Sequence, residues 1–303
     1  MASTDRSLLA RVFSPGPARD NYPAGGATGK AGRNLPQAIT TAVVLIAAVA
    51  IPLFTSLPAF VAVIAFVCLV GIWELAGAFA RMGITLTVTP LYVGAIGMIT
   101  CAWWLGSEGT LFALYITVFV CAAWRLLDRR QESRMSDVVS STFTAVYVPF
   151  LASFVVLMMA AWHNAWVFVV FELMVIANDT GGWAVGVMFG KHPMAPALSP
   201  KKSWEGFAGS ALTAIAVGVV GLWLLGASWW WGVVAGISIA FVGTMGDLTE
   251  SLIKREAGLK DMSQILPGHG GVLDRVDALL MSAPVAYFIF AWALPGISWE
   301  SSH

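Results

Sequence analysis

The sequence predicts an all-α, polytopic integral membrane protein. Hydrophobic residues make up 58% of the 303 residues and charged residues only 11%, and the mean hydropathy is +0.79. This composition is typical of polytopic membrane proteins and excludes an ordinary soluble domain. Acidic and basic residues balance at 17 each. Net charge therefore indicates no particular partner, and we expect no nucleic-acid partner.

The chain begins with a segment that is too polar to cross a membrane. Residues 1–35 are rich in Gly, Pro and Ala and lack an apolar core, which predicts a disordered cytosolic tail and not a cleaved signal peptide. About nine apolar segments of membrane-crossing length follow. They are 36–54, 57–79, 84–106, 109–127, 138–161, 165–190, 205–225, 229–250 and 273–295. We divide them into N-terminal transmembrane helices, 36–161, and a C-terminal transmembrane catalytic region, 162–303.

The basic residues predict how these helices are oriented. If the N-terminal tail is cytosolic, all 17 Lys and Arg residues lie in the tail, in inner loops or at inner helix ends. This asymmetry follows the positive-inside rule. The sequence therefore predicts a cytosolic N-terminus, an outside C-terminus and a polar site that faces the cytosol.

Two aspartates open the last predicted helix. Asp274 and Asp277 are spaced i, i+3, which places both carboxylates on one helical face, just after Gly270 and Gly271. Magnesium binds one or two carboxylates together with water and phosphate oxygens, so the pair suits a metal–nucleotide complex. The alternative is that both acids only stabilise a helix N-terminus.

Further acids lie in the inner halves of two other predicted spans. Asp179 follows Asn178 in the sixth span, and Asp247 precedes Glu250 by three residues in the eighth. An ionisable residue within a span is by default a functional-site candidate. These acids favour the metal interpretation of the Asp274–Asp277 pair.

Basic residues lie beside the acids in the sequence. The segment SPKKSWEG carries Lys201 and Lys202 just before a predicted helix, whose first turn contains Ser203 and Glu205. Lysines at an inner membrane end often follow from topology alone or contact lipid headgroups. A helix N-terminus also attracts anions, so the pair suits a phosphate contact equally well. Further cations for a polyphosphate follow at Lys254, Arg255, Lys260 and Arg275.

Several other residues keep open interpretations. His269, in PGHGG, is either a phosphate contact, a general base or a structural turn residue. Glu74 and Glu172 are membrane-embedded acids without a motif, and each suits either a helix–helix hydrogen bond or a lipid groove. The three cysteines lie in apolar stretches and are interpreted as small buried hydrophobic residues.

The segment from residue 251 to 277 resembles the signature of the phosphatidate cytidylyltransferases, or CDP-diacylglycerol synthases. The matching residues are Ser251, Lys254, Arg255, Lys260, Asp261, His269 to Gly271, Asp274, Arg275 and Asp277. The segments NDTGGW and SPKKSWEG are also similar to this family, although Ser203 stands where threonine is more usual. The resemblance is specific over about residues 170 to 295 and general elsewhere.

The resemblance implies transfer of a cytidylyl group from CTP to phosphatidic acid, with Mg²⁺ and with one or two bound cations. It also implies a homodimer surrounded by membrane lipid, in a bacterial plasma membrane. The implied metal ligands are Asp179, Asp247, Asp274 and Asp277. The implied catalytic residues are Asp247, Asp274, Asp277, Lys254 and Arg255. The implied phosphate-binding residues are Lys201, Lys202, Ser203, Lys260, His269 and Arg275.

Two alternative functions remain at this point. One is a related CTP-dependent transferase that acts on another lipid phosphate or a polyprenol. The other is an ion-coupled transporter whose buried acids form an ion path, although most acids cluster at one end of the helices and no inverted repeat is evident. A CDP-alcohol phosphotransferase is disfavoured because its Asp-Gly-x-x-Ala-Arg pattern is not found around Asp274.

Overall fold

A computed structural model describes residues 35–128, 135–266 and 270–294. Most of the predicted tail, and His269, lie outside these residues. The described chain forms α-helices, one π-helical segment and a β-hairpin. In order they are α1 (Leu35–Thr55), α2 (Leu57–Arg81), α3 (Val88–Trp104), α4 (Gly106–Leu127), α5 (Met135–Ala145), a π-helix (Val146–Phe150), α6 (Leu151–Trp162), α7 (Ala165–Phe189), β1 (Pro193–Ala195), β2 (Ser199–Ser203), α8 (Trp204–Leu224), α9 (Trp229–Glu256) and α10 (Leu273–Ala293).

The chain is a helical membrane protein. Within the described residues, 7 helical segments are long and apolar enough to cross a membrane, and α5, the π-helix and α6 count as one continuous segment of 28 residues. Two shorter apolar helices, Ile39–Thr55 and Val88–Trp104, correspond to the predicted spans 36–54 and 84–106. Predicted and observed helices therefore agree in position, and the total of about nine spans stays a prediction.

The fold is all-α in class, and one short antiparallel hairpin of β1 and β2 lies between the predicted spans 165–190 and 205–225. His192, Ala195 and Ser199 each precede a proline, which disfavours helical backbone and favours extended structure. Helix α9 also continues to Glu256, beyond the predicted end at 250, so Lys254 belongs to its last turn and not to a loop.

Glycines allow α7, α8 and α9 to pack with their backbones close together. A Cβ atom at Gly209 of α8 would lie 2.7 Å from the carbonyl oxygen of Gly181 in α7, and one at Gly236 of α9 would lie 2.5 Å from the Ile215 backbone. Thr213 of α8 donates a hydrogen bond to the Ala177 carbonyl at 2.7 Å. Small residues and crossing hydroxyl bonds are the usual means of joining helices in a bilayer. They position the polar ends of these three helices around one cavity.

Candidate active site

A cavity of about 240 Å³ lies between α7, the hairpin, α8 and α9. Its lining combines acidic, basic, amide and hydroxyl groups with aromatic surface. The lining side chains used below are Asn178, Asp179, Trp183, Lys201, Lys202, Ser203, Phe207 and Asp247. A cavity with polar groups converging on one side and aromatic rings on another suits an amphiphilic ligand.

An ion pair joins the hairpin to α9 inside this cavity. Lys202 Nζ of β2 lies 2.5 Å from Asp247 Oδ2 of α9, and both side chains are partly exposed. Asp179 lies on α7 within electrostatic reach of Asp247, Lys202 and Arg275. The structure thus brings together four candidate residues that are far apart in the sequence, namely Asp179, Lys202, Asp247 and Arg275.

A second acidic group lies beside the cavity, where α9 contacts α10. The Asp277 carboxyl group is within electrostatic reach of Asp247 and Glu250. Gly246 makes this approach possible, because a Cβ atom there would lie 2.6 Å from the Asp277 carbonyl oxygen. Lys254, one turn after Glu250, donates to Glu250 and also to Asp274 Oδ1 at 2.7 Å.

The residues present fit a hard cation. Asp247 and Glu250 each lie within electrostatic reach of Asp277, and Glu250 is only 1% exposed. Its Oε1 atom is buried without a hydrogen-bond partner in the described structure, which is costly unless something binds there. Carboxylate oxygens are the ligands that Mg²⁺ prefers. Among the described residues, no set of three or more acidic, His or Cys side chains is already spaced to hold a metal.

Asp274 has a different environment from Asp277. Its Oδ2 atom accepts hydrogen bonds from the backbone N–H groups of Met262 at 2.9 Å and Gly271 at 2.8 Å, while Oδ1 accepts from Lys254. Asp274 therefore organises the loop before α10. Its predicted role as a metal ligand stays a prediction.

The other predicted residues lie around the cavity and the acids of α9 and α10. Lys201 lines the cavity, and Ser203 caps α8 by accepting a hydrogen bond from Gly206 N at 3.1 Å. Arg255 is exposed and donates to the Leu198 carbonyl in the hairpin at 3.4 Å. Lys260 is exposed in the loop after α9. The phosphate-binding role of each of these residues stays a prediction.

Sequence reasoning did not select some residues of the site. Tyr147 is 3% exposed, and its hydroxyl has no hydrogen-bond partner among the described residues. The carboxyl groups of Asp277, Glu250 and Asp247 lie within electrostatic reach of this tyrosine. It belongs to the π-helix, a feature often found at functional sites. The polar Tyr147 within the apolar run before Pro149 was the available signal.

The sequence of the chain matches the model of a known protein family. The model of the family described as "Cytidylyltransferase family" matches residues 36–293. The chain belongs to the cytidylyltransferase family. This match includes both the cavity and the cluster of acids beside it.

Relatives of this family member are similar over most of its length. A protein of Mycobacterium bovis named phosphatidate cytidylyltransferase is 38% identical over 276 residues, which cover 86% of this chain and 90% of the relative. One of the same name from Haemophilus influenzae is 31% identical over 287 residues, covering 84% of this chain and 99% of the relative. Family membership confirms the resemblance drawn from residues 251–277 and favours the transferase interpretation over a transporter.

Proposed function

We propose that this family member transfers the cytidylyl group of CTP to phosphatidic acid, which gives CDP-diacylglycerol and pyrophosphate for phospholipid synthesis. Full-length relatives carry the name of this activity. The observation that carries the proposal is the cavity where Lys202 meets Asp247, beside the carboxyl groups of Glu250 and Asp277. Both reactants are polyanions, so the site needs cations that neutralise phosphate charge and carboxylates that hold a metal ion.

The reaction needs no nucleophile from the protein. A phosphate oxygen of phosphatidic acid forms a bond to the α-phosphorus of CTP, and the bond from that phosphorus to the β-phosphate oxygen breaks, releasing pyrophosphate. Catalysis then rests on alignment and on neutralisation of charge. Lys201 and Lys202 line the cavity and would hold phosphate oxygens there. Arg255, Lys260, Arg275 and His269 are proposed to complete the phosphate contacts.

The aromatic lining suits the apolar part of the lipid. Trp183 is 71% exposed, and it lines the same cavity as Phe207 and Lys201. In a membrane protein, exposed aromatic surface next to a polar cavity offers a boundary between headgroup and acyl chain. We therefore place the glycerol end of the lipid on this side of the cavity.

We assign the metal to carboxylates of the same region. Asp179, Asp247 and Asp277 are the proposed ligands, with Asp274 beside them, and the buried Glu250 Oε1 supports the assignment. A bound Mg²⁺ would neutralise phosphate charge and withdraw electrons from phosphorus. The protein's own part is to keep these carboxyl groups adjacent through Gly246 and Lys254.

The topology completes the proposal. We infer about nine spans, a cytosolic N-terminus and a cytosolic active site, because of the one-sided placement of Lys and Arg. We propose 162–303 as the catalytic region, because the described residues that line the cavity fall between 178 and 247. A homodimer in a bacterial plasma membrane is also proposed. Labelling of single introduced cysteines from either side of sealed vesicles tests the orientation, and mass measurement in detergent tests the dimer.

The activity is tested with purified protein in detergent, labelled CTP and phosphatidic acid, with and without a divalent cation. Asp277→Asn should reduce formation of CDP-diacylglycerol by about a hundredfold or more, because it removes charge from the cluster. Glu256→Gln is the control, since Glu256 is an exposed acid at the end of the neighbouring helix α9. Full activity of Asp277→Asn would contradict the site assignment. Product only with another lipid phosphate or a polyprenol phosphate would contradict the acceptor.

A further inference from the structure

Glu74 of α2 is bonded to the loop that precedes α10, 189 to 199 residues further along the chain. Its side chain is buried, with 1% of the residue exposed. Oε1 accepts hydrogen bonds from Ser263 Oγ at 2.5 Å and from Val272 N at 2.8 Å. Oε2 accepts from Leu273 N at 2.7 Å. Both carboxyl oxygens of Glu74 therefore accept hydrogen bonds from the segment that leads into α10.

These bonds supply the N-terminal cap that α10 lacks. The residue before the helix, Val272, is itself in the helical conformation and offers no side-chain cap. The first N–H groups of a helix have no partner within the helix and attract negative charge. Glu74 satisfies two of them, at Val272 and Leu273, from a different helix. The position of the first turn of α10 is thus tied to α2.

Gly271 is held between two carboxyl groups by the same arrangement. A Cβ atom at this position would lie 2.5 Å from Glu74 Oε1 and 3.0 Å from Asp274 Oδ2. The Gly271 N–H donates to that same Asp274 oxygen at 2.8 Å. Two acidic side chains thus occupy the space that a Cβ atom would need at this position. Gly271 and Glu74 therefore form one unit, in the sense that the glycine leaves room for the Glu74 carboxyl group.

Two acids therefore hold the loop from opposite sides. Asp274 binds Met262 N and Gly271 N, and Glu74 binds Ser263 and the start of α10. Asp277 lies one helical turn after these anchors, where it meets Glu250. A displacement at the start of α10 is transmitted to Asp277, because a helix moves as a rigid element over one turn.

We propose that Glu74 is a positioning residue for the transfer reaction, which sets the place of Asp277 by capping α10 and anchoring Ser263. The inference rests on the proposed function for its kinetic consequence. Its structural consequence, the position of the loop, is independent of that function. Among the described residues, Glu74 accepts its hydrogen bonds from Ser263, Val272 and Leu273, so it acts through this loop and the start of α10.

The test compares Glu74→Gln with wild type in purified, full-length protein. An amide can accept with its oxygen, but its NH₂ group faces a backbone donor, so the cap is half lost. We expect kcat to fall about ten- to hundredfold, as for other groups that orient catalytic ligands. The KM for phosphatidic acid should stay within about twofold, because the lipid contacts are unchanged. Trypsin should cleave after the exposed Lys260 faster than in wild type, because the loop opens locally.

Two further variants separate positioning from general stability. Asp137→Asn is the control, because Asp137 is another buried acid that accepts a hydrogen bond from a distant backbone N–H, that of Thr85 at 2.9 Å; kcat per folded molecule should stay within about twofold. Gly271→Ala should lower kcat as Glu74→Gln does. In a Glu74→Ala background, Gly271→Ala should have little additional effect, since the two residues form one unit.

Each outcome decides the inference. Wild-type kcat and wild-type cleavage after Lys260 in Glu74→Gln would overturn it. Loss of folded protein, or an equal loss of kcat in Asp137→Asn, would also overturn it in favour of general stability. If wild type forms no CDP-diacylglycerol but Glu74→Gln still opens the loop, the capping role stands and the proposed function fails. Additive effects of Gly271→Ala and Glu74→Ala would refute the claim that they form one unit.

Discussion

Gly246 provides a sharp test of how the acids are brought together. A Cβ atom at Gly246 would lie 2.6 Å from the Asp277 carbonyl oxygen and 3.1 Å from Ala278 Cα. Both neighbours are backbone atoms, which cannot rotate away as a flexible side chain can. Ordinary contact begins at 3.4 Å, so Gly246→Ala requires α10 to recede by about 0.8 Å at Asp277. A misplacement of about 1 Å near reacting groups can reduce the rate about a hundredfold.

Gly243→Ala is the matched control, one turn earlier on the same helix. Its Cβ atom would lie 3.3 Å from Asn178 Nδ2 and 3.4 Å from Ser282 Oγ, which are side-chain atoms that can shift by a few tenths of an ångström. Both substitutions replace glycine by alanine within α9, so the gain in helix propensity, about 1 kcal/mol, is common to both.

The assay measures kcat for CDP-diacylglycerol formation and the thermal unfolding midpoint in detergent. We expect Gly246→Ala to lose about a hundredfold in kcat, and Gly243→Ala to keep most of its activity. The KM for phosphatidic acid should change little, because the cavity lining is not displaced. Equal kcat values for the two variants would refute the reasoning, because they would show that the distance between α9 and α10 does not control the reaction.

Two further predictions concern ion pairs inside and outside the site. Lys202→Met should lower activity by about a hundredfold or more, because it removes a cation from the cavity; Lys191→Met, at an exposed residue before the hairpin, is the control, and equal activities would contradict the role of Lys202. Asp137→Asn should lower the free energy of unfolding by about 3 to 5 kcal/mol, because Asp137 is 1% exposed and pairs with the buried Arg125. Activity per folded molecule should be unchanged, and unaltered thermal unfolding would count against this ion pair as a stabilising contact.

Much of the helical arrangement could be predicted because length and hydropathy determine it directly. Asp179 and Asp247 were selected because an ionisable side chain in an apolar span is costly without a partner, and Asp277 because it is spaced i, i+3 from Asp274. The structure brings these three acids near one another. The partners of these acids could be predicted only as kinds of group, namely cations and phosphate, and not as particular residues.

The hairpin and the role of Glu74 could not be predicted in the same way. Three short X-Pro steps favour extended backbone, but they do not specify which residues pair across a hairpin. Glu74 was recognised as an unexplained acid, and its partners at Ser263 and Leu273 are set by tertiary packing. The end of α9 was placed too early because Lys254 and Arg255 are charged, although charged residues at a helix C-terminus are favourable.

The close packing of α7, α8 and α9 also determines which parts of the cavity can adapt to different ligands. Glycines at 181, 209 and 236 place backbone against backbone or against a neighbouring residue, so these walls have few side chains that can change rotamer. Dense contacts of this kind resist deformation. The hairpin is bonded at its ends to the start of α8, and it meets α9 through the contacts from Lys202 to Asp247 and from Arg255 to the Leu198 carbonyl. We therefore expect the cavity to adapt to ligands of different shape by movement of the hairpin, while the three helices keep a fixed separation.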